Sequence, residues 1–398
     1  MNKIETDILV AGGGVAGMLA SLILAQSGFS VICVDASPKP DKTTRPDQRS
    51  TAFLMPSIAL LSEAGIFGDL ETIAEPLRVM RIVDAGGPEF LPVQISDFEA
   101  HEAGEEQFGF NIPNAPLREH LLNQIEAHPR IEMRFGDGVS GFTPRLTSAI
   151  TRLASGAQIF SKLVIGADGR SSKLRDLAKI DVTTLRYGQK AIVFAAEHQE
   201  PHFGISTEIH RSGGPFTLVP VAGFEQKRSA VVWMDHGAET QSRMELTDAA
   251  FEAALNLRSC GVMGPLTLAS KRAMWPIISQ FAHSLIGQRL ALMGEAAHVV
   301  PPIGAQGLNM SLADVSCLRD LITADNLGDI GSDQVLERYE KERLLKMKAR
   351  VSGIDALNRA SMAGSKPAKD LRASLLSVLD RTPYLRTSAI KAGLGRLA

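Results

Sequence analysis

The sequence predicts an α/β protein: a parallel, nucleotide-binding layer, an α+β insertion of antiparallel sheet, and C-terminal helices. Three observations carry this. An uncharged strand–glycine turn–helix–strand run extends from Ile8 to Val34. Short apolar strands separated by Gly, Pro and charged turns fill roughly residues 185 to 282. A long charged helical stretch follows from Leu336.

At 398 residues the chain is long enough for two intimate domains or one large body. Lys plus Arg number 42 against 44 Asp plus Glu, so the clear basic surplus of a nucleic-acid binder is missing. Only Cys33, Cys260 and Cys317 occur, with no CxxC spacing. That excludes a disulfide framework and a Cys-based zinc site, and it points to a reducing, cytoplasmic setting.

The uncharged run is also long enough to be read as a membrane span. Its leader is not basic, and Gly12-Gly13-Gly14 and Gln26-Ser27-Gly28 interrupt it. A buried strand at Ile8–Val10, a helix over Val15–Gln26 and a β-branched strand at Val31–Val34 fit better. Ser50–Ala64 and Pro116–Ala127 read as helices and Leu163–Ile165 as a strand. Ala191–Ala196, Phe216–Val221 and Ala230–Trp233 are the inserted strands. Arg289–Met293 returns to strand, and Gly307–Thr323 and Leu336–Ala360 are helical.

The first strand enters Gly12-Gly13-Gly14-Val15-Ala16-Gly17, a GxGxxG. Gly12 permits the tight turn, Gly14 lets a pyrophosphate approach the backbone, and Gly17 lets helix and strand pack closely. The N–H groups of Val15, Ala16 and Gly17 open the helix toward the phosphate. Asp35 closes the second strand 23 residues after Gly12, where a carboxylate accepts ribose hydroxyls. This Rossmann-like unit binds an ADP moiety, but the motif alone does not separate NAD from FAD. Two further strand-to-helix turns follow. One is Gly166-Ala167-Asp168-Gly169-Arg170, with Arg175 downstream. The other is Gly294-Glu295-Ala296-Ala297-His298 running through Pro301-Pro302 to Gly304-Ala305-Gln306-Gly307-Leu308-Asn309.

The three motifs, in this order and separation, resemble those of the single-component FAD-dependent aromatic hydroxylases of the p-hydroxybenzoate hydroxylase type. Within that class the chain looks most like the UbiH/UbiF/UbiI hydroxylases of ubiquinone biosynthesis. Tyr187-Gly188-Gln189-Lys190-Ala191, Glu200-Pro201-His202, Gly214-Pro215-Phe216-Thr217-Leu218-Val219-Pro220 and Val232-Trp233 add to the likeness, which runs from Asp7 to about Arg350.

The resemblance implies a Rossmann-like FAD-binding domain formed by residues 1–75, 101–178 and 283–330. It implies a substrate domain from 76–100 and 179–282, and a C-terminal helical region over 331–398. It places Gly12, Gly14 and Gly17 at the FAD pyrophosphate and Asp35 at the adenosine ribose. Arg49 approaches the flavin's phosphate side, and Asp168 serves FAD and pyridine nucleotide. Glu295 grips the ribityl chain, Pro302 belongs to the same loop, and the Gly307, Leu308 and Asn309 backbone lies beside the flavin pyrimidine ring. Arg118, four residues after Asn114 on one helix face, falls near a polar flavin contact. Relatives commonly carry Asp at Glu295 and Gly-Gln-Gly at Ala305-Gln306-Gly307, so this chain departs at two positions.

The implied reaction is hydroxylation of a polyprenylated phenol with O2 and transient NAD(P)H, through a flavin C4a-hydroperoxide. A separate nicotinamide domain is not expected, because the pyridine nucleotide of that class binds only transiently. No side chain is identified as a catalytic base; His298 follows the flavin loop and suits a structural role. His198 and His202 have i, i+4 spacing, but Pro201 between them spoils a helical metal pair. Phe216, Trp233 and Trp275 suit either a pocket lining or the core. The tail from Lys366 carries seven Lys/Arg against two Asp, with Leu371, Leu375, Leu376 and Leu379 at helical spacing. It is read either as a peripheral membrane contact or as a helix docked on the flavin domain. A homo-oligomer or biosynthetic complex stays open, as do a small soluble phenol or polyketide substrate, a flavin reductase and a non-catalytic scaffold.

Overall fold

A computed structural model describes residues 4–40, 49–87, 89–324 and 328–394. Strand Ile4–Ala11 lies at the centre of the first sheet, flanked by Gln158–Gly166 and Val31–Asp35, with Leu290–Leu292 and Ile131–Phe135 beyond them, all in parallel register. Helix Val15–Gln26 begins and ends where the sequence predicts. It is buried from Gly17 to Ala25, which explains its lack of charge: every face meets protein. Each fully enclosed Leu or Ile there contributes roughly 1.5–3 kcal/mol. No helix among the described residues is long and apolar enough to cross a membrane.

Among the described residues the second sheet has nine strands, one of which, Leu266–Leu268, pairs with Val182–His198 off the main path. Its path runs His298–Val299, Ala273–Ala282, Val182–His198, Arg228–His236, Pro215–Pro220, Ile205–His210, Val79–Asp84, Gln94–Glu99. Every junction is antiparallel except Ile205–His210 with Val79–Asp84, which is parallel. One face carries Ile192, Phe194, Ile209, Phe216, Val231 and Trp233 against Phe251 and Leu255 of helix Asp248–Arg258. The other face looks toward Leu54 and the C-terminal helices: Met80 and Ile82 pack with Leu54, Ile390 and Leu394, and Tyr187 bonds Asp355.

One sequence expectation fails in part. Ser50–Ala64 is not one helix: Ser50–Leu54 is a strand and Met55–Glu63 a helix. The strand exists because Gly109–Pro113 pairs with it, a partner more than fifty residues away. A small third sheet of Ser50–Leu54, Gly109–Pro113 and Glu75–Leu77 results.

The tail forms two helices, Lys366–Arg381 and Pro383–Gly393. The last one docks on more than the flavin side. Arg386 pairs with Glu102 and Asp380 and lies over the Phe98 ring, and Ile390 and Leu394 join an apolar cluster with Leu54, Phe98 and Phe108. The side chains of Leu371 and Leu375 lie outside the described residues.

Candidate flavin and substrate site

Close packing comes first. A β-carbon at Gly12, whose φ is +113°, would lie 2.1 Å from the Ala167 carbonyl oxygen. One at Gly17 would lie 1.8 Å from the Gly12 carbonyl oxygen. The first motif is thus pressed against the second, and only glycine fits either point. A β-carbon at Gly14 would meet no protein atom within 4 Å. Gly14 caps helix Val15–Gln26 with no side-chain hydrogen bond, so the helix N-terminus at Val15 and Ala16 faces open space. That is the geometry of an anion cradle.

Asp35 lies beside it. Its two carboxylate oxygens accept the Gly13 N–H at 2.5 Å and the Ser37 N–H at 2.7 Å. Asp168 Oδ2 accepts the Leu174 N–H at 3.1 Å, while Oδ1 is buried without a partner. A buried, unsatisfied carboxylate oxygen is costly, and a ribityl or ribose hydroxyl would satisfy it.

The third motif is tied to the second by a residue to which sequence reading assigned no role. Buried Arg175 donates to the Ala296 and Arg170 carbonyls at 2.9 and 3.0 Å. Glu295 is exposed, with Arg170 3.5 Å away. Pro302 and Gly307 are exposed and Leu308 is partly exposed, so this loop presents backbone outward. Helix Gln306–Thr323 has no side-chain cap, leaving a second N-terminus open. Its N-cap Ala305 is left-handed, φ +57°, beside Gly304 at +60°. Ala305, where Gly was expected, therefore holds a left-handed conformation at a strain of about 1–2 kcal/mol.

Asn309 acts through its side chain as well as by position. Its Oδ1 accepts the Leu54 N–H at 2.8 Å, and its Nδ2 donates to the Ala52 and Ala305 carbonyls. His298 Nε2 is 2.7 Å from Asp314, and Arg343 Nε donates to the same carboxylate at 2.7 Å. Burial alone would raise Asp314, yet Arg343 and His298 hold its carboxyl below its ordinary value. His298 is thus a buried brace on helix Gln306–Thr323 through Asp314.

Arg49 lies over the Trp275 ring, 5.1 Å from its centroid. Arg118 is half-buried one turn beyond Asn114, which accepts the Thr51 hydroxyl at 2.7 Å. The expected aromatic trio separates. Phe216 and Trp233 pack edge to face in the core behind the sheet, and Trp275 is exposed. His198 bonds Glu200 and Ser229, whereas His202 bonds Gly204 and Val221.

The sheet face opposite the Phe251 core carries two apolar clusters: Val193, Met234, Ile277 and Val232 form one patch, and Met80 and Ile82 pack into the Leu54–Ile390 cluster. A polar pair interrupts it. Glu208 Oε1 and His210 Nε2 are 2.7 Å apart, and both side chains are largely buried. The sequence reading missed this pair; the alternation Ser206, Glu208, His210 against Thr207 and Ile209 was the available signal.

The FAD binding domain family profile matches residues 5–353. The ubiquinone hydroxylase UbiL of Rhodospirillum rubrum is 29% identical over 394 residues, covering 98% of this chain and 90% of that protein. The 3-demethoxyubiquinol 3-hydroxylase of Escherichia coli is 27% identical over 400 residues, 99% of this chain and 100% of that protein. Among solved structures, p-nitrophenol 4-monooxygenase PnpA from Pseudomonas putida DLL-E4 superposes with a TM-score of 0.79 at 15% identity, covering 99% of both chains. That last likeness shows the fold.

Proposed function

The chain belongs to the FAD binding domain family, and on that premise we propose that it is an NAD(P)H-dependent aromatic monooxygenase. It hydroxylates the ring of a polyprenylated phenol in ubiquinone biosynthesis. The observation that carries the reading is the convergence of three motifs, two of them opening uncapped helices, beside an apolar sheet face. The end-to-end similarity to two hydroxylases of ubiquinone compounds supports the substrate class.

Bound FAD supplies hydride acceptance from NAD(P)H and activation of O2. The protein binds and orients. Gly12, Gly14 and the Val15–Gly17 amides hold the pyrophosphate, and Asp35 and Asp168 hold sugar and ribityl hydroxyls. Exposed Glu295 would bind the ribityl chain. Arg49 and Arg118 approach the cofactor's polar edge. The Gly307, Leu308 and Asn309 turn lends a helix N-terminus to negative charge developing on the ring. The sheet face holds the phenol and excludes water, which keeps activated oxygen from being wasted. Exposed Tyr384, Leu385, Arg381 and Lys391 on the last two helices form the surface that meets a membrane carrying the substrate.

The test is a coupled assay on the purified, flavin-loaded protein with NADPH or NADH. A prenylated phenol that stimulates nucleotide oxidation and gains one oxygen supports the reading. Nucleotide oxidation without O2 uptake, or a protein that does not retain FAD, overturns it.

A further inference from the structure

Strand register places an unbroken row of side chains across the substrate face: Ser96, Ile82, Glu208, Thr217, Val232 and Val193 are successive cross-strand partners. The burial alternation fixes their direction. Thr207 and Ile209 turn into the core behind the sheet, and Ser206, Glu208 and His210 turn to the opposite side. At one end the Ser96 hydroxyl donates to Asp380 of helix Lys366–Arg381 at 2.6 Å, which closes the row. Next to it, Ile82 packs in the cluster that contains Leu54, whose N–H is held by Asn309 of the flavin loop. At the other end, Val193 and Val232 belong to the apolar patch with Ile277.

Between Ile82 and Val232 this row carries the adjacent polar residues Glu208 and Thr217, and their group is incompletely satisfied. Glu208 faces His210 Nε2 at 2.7 Å. A carboxylate at that distance selects the tautomer with the proton on Nε2, leaving the lone pair on Nδ1. His210 Nδ1 is enclosed and has no partner, and the neighbouring Thr217 Oγ1 is likewise buried and unpartnered. Two such atoms beside a carboxylate, on the face turned to the flavin loop, are costly without a ligand. The surrounding charges are engaged elsewhere or point away. Arg81 pairs with Asp97, Arg211 lies over Phe90, Asp355 with Tyr187 and Arg359, Asp235 with Arg243, and Asp380 with Ser96 and Arg386. Asp84, opposite His210, accepts the Gly86 N–H.

We propose that Glu208, His210 and Thr217 form the seat for the substrate's ring hydroxyl, with His210 Nδ1 as the base that ionises it. The inference rests on the phenol-hydroxylase reading above. The phenolic O–H bond breaks, its proton passes to Nδ1, and the electron pair stays on oxygen, enriching the ring toward electrophilic oxygen. Glu208 is a positioning residue that holds the tautomer and stabilises the imidazolium, and Thr217 Oγ1 donates to the phenolate.

The probe is p-nitrophenol, titrated into flavin-loaded enzyme at a pH where the free phenol is mostly protonated. Wild-type protein is expected to bind it with growth of the yellow phenolate band. His210→Gln should bind it without that band and lower kcat on a hydroxylated phenol about a hundredfold with KM little changed. Glu208→Gln and Thr217→Val should fall between, and they carry the test if His210→Gln loses its flavin. Equal ionisation of bound p-nitrophenol in wild type and variants, with hydroxylation intact, overturns the seat alone. Failure of the wild type to bind or hydroxylate any phenol overturns the hydroxylase reading with it.

Discussion

Gln306 Nε2 donates to the Gly393 carbonyl at 3.1 Å, joining the first turn of the flavin-side helix to the last described helix of the chain. Gln306 is also gripped by Arg350 and by the Gly304 carbonyl. The last described helix therefore helps to support the turn that opens helix Gln306–Thr323.

That coupling predicts the effect of loosening the last helix. Ile390→Ala removes a buried anchor of the Leu54–Phe98–Leu394 cluster and should lower stability by about 2 kcal/mol, the low end for such truncations. Hydrogen exchange should rise in residues 304–310 as well as in 383–394. Faster exchange confined to the C-terminal helices would sink the idea.

Gly14 and Gly17 should respond oppositely to the same methyl group. Gly14→Ala meets no protein atom at a φ of −72° that alanine adopts freely. The flavin-free protein should keep its stability within about 0.5 kcal/mol, while FAD affinity drops at least about tenfold, or ~1.4 kcal/mol. Gly17→Ala should fail to fold, since its methyl overlaps the Gly12 carbonyl. Unchanged FAD affinity in Gly14→Ala, by flavin fluorescence titration, would remove the pyrophosphate from that spot.

Ala305 holds a left-handed conformation that costs a side chain about 1–2 kcal/mol. Ala305→Gly relieves it but adds freedom to the unfolded chain, so the net gain should be about 0.5–1 kcal/mol. Thermal unfolding of the two proteins at equal FAD loading measures this, and a lower Tm for the glycine variant contradicts it.

Acid should destabilise the protein through two buried histidines. Burial depresses both His198 and His202 below 6.5. Below the unfolded value the unfolded chain binds more protons, so stability falls as pH drops from about 6.5. His202 matters more, because its Nδ1 accepts the Gly204 N–H and cannot take a proton without losing that bond. His202→Asn keeps an acceptor there and should flatten the decline in urea midpoint between pH 7 and 5. An unchanged slope would assign the acid sensitivity to other groups.

The legible parts of the molecule were those whose causes are local. Helix Val15–Gln26 announces itself by the glycine turn, the uncharged run and Ser27-Gly28, and its ends match to the residue. Strand Ser50–Leu54 did not, because only distant Gly109–Pro113 makes it a strand. The left-handed Ala305 was visible as a departure from the family text, yet its conformation required the fold. Asp168 could be named from its motif, but the unpartnered acceptor at its Oδ1 could not. Glu208 and His210 escaped notice because an i, i+2 polar pair looks like any solvent-facing edge until the sheet faces are assigned.

The one parallel junction among the described strands of the second sheet has a consequence for how the chain is made. Strand Val79–Asp84 finds its central neighbour only when Ile205–His210 exists, more than a hundred residues later in synthesis. Until then the hairpin of Val79–Asp84 and Gln94–Glu99 has one bare hydrogen-bonding edge toward the place where Ile205–His210 will dock. A growing chain must carry that sticky edge through the interval, so nascent protein is most exposed to aggregation before residue 210 emerges. Charged Arg81 and Asp97, paired across the hairpin, are the gatekeepers positioned to keep it soluble while it waits.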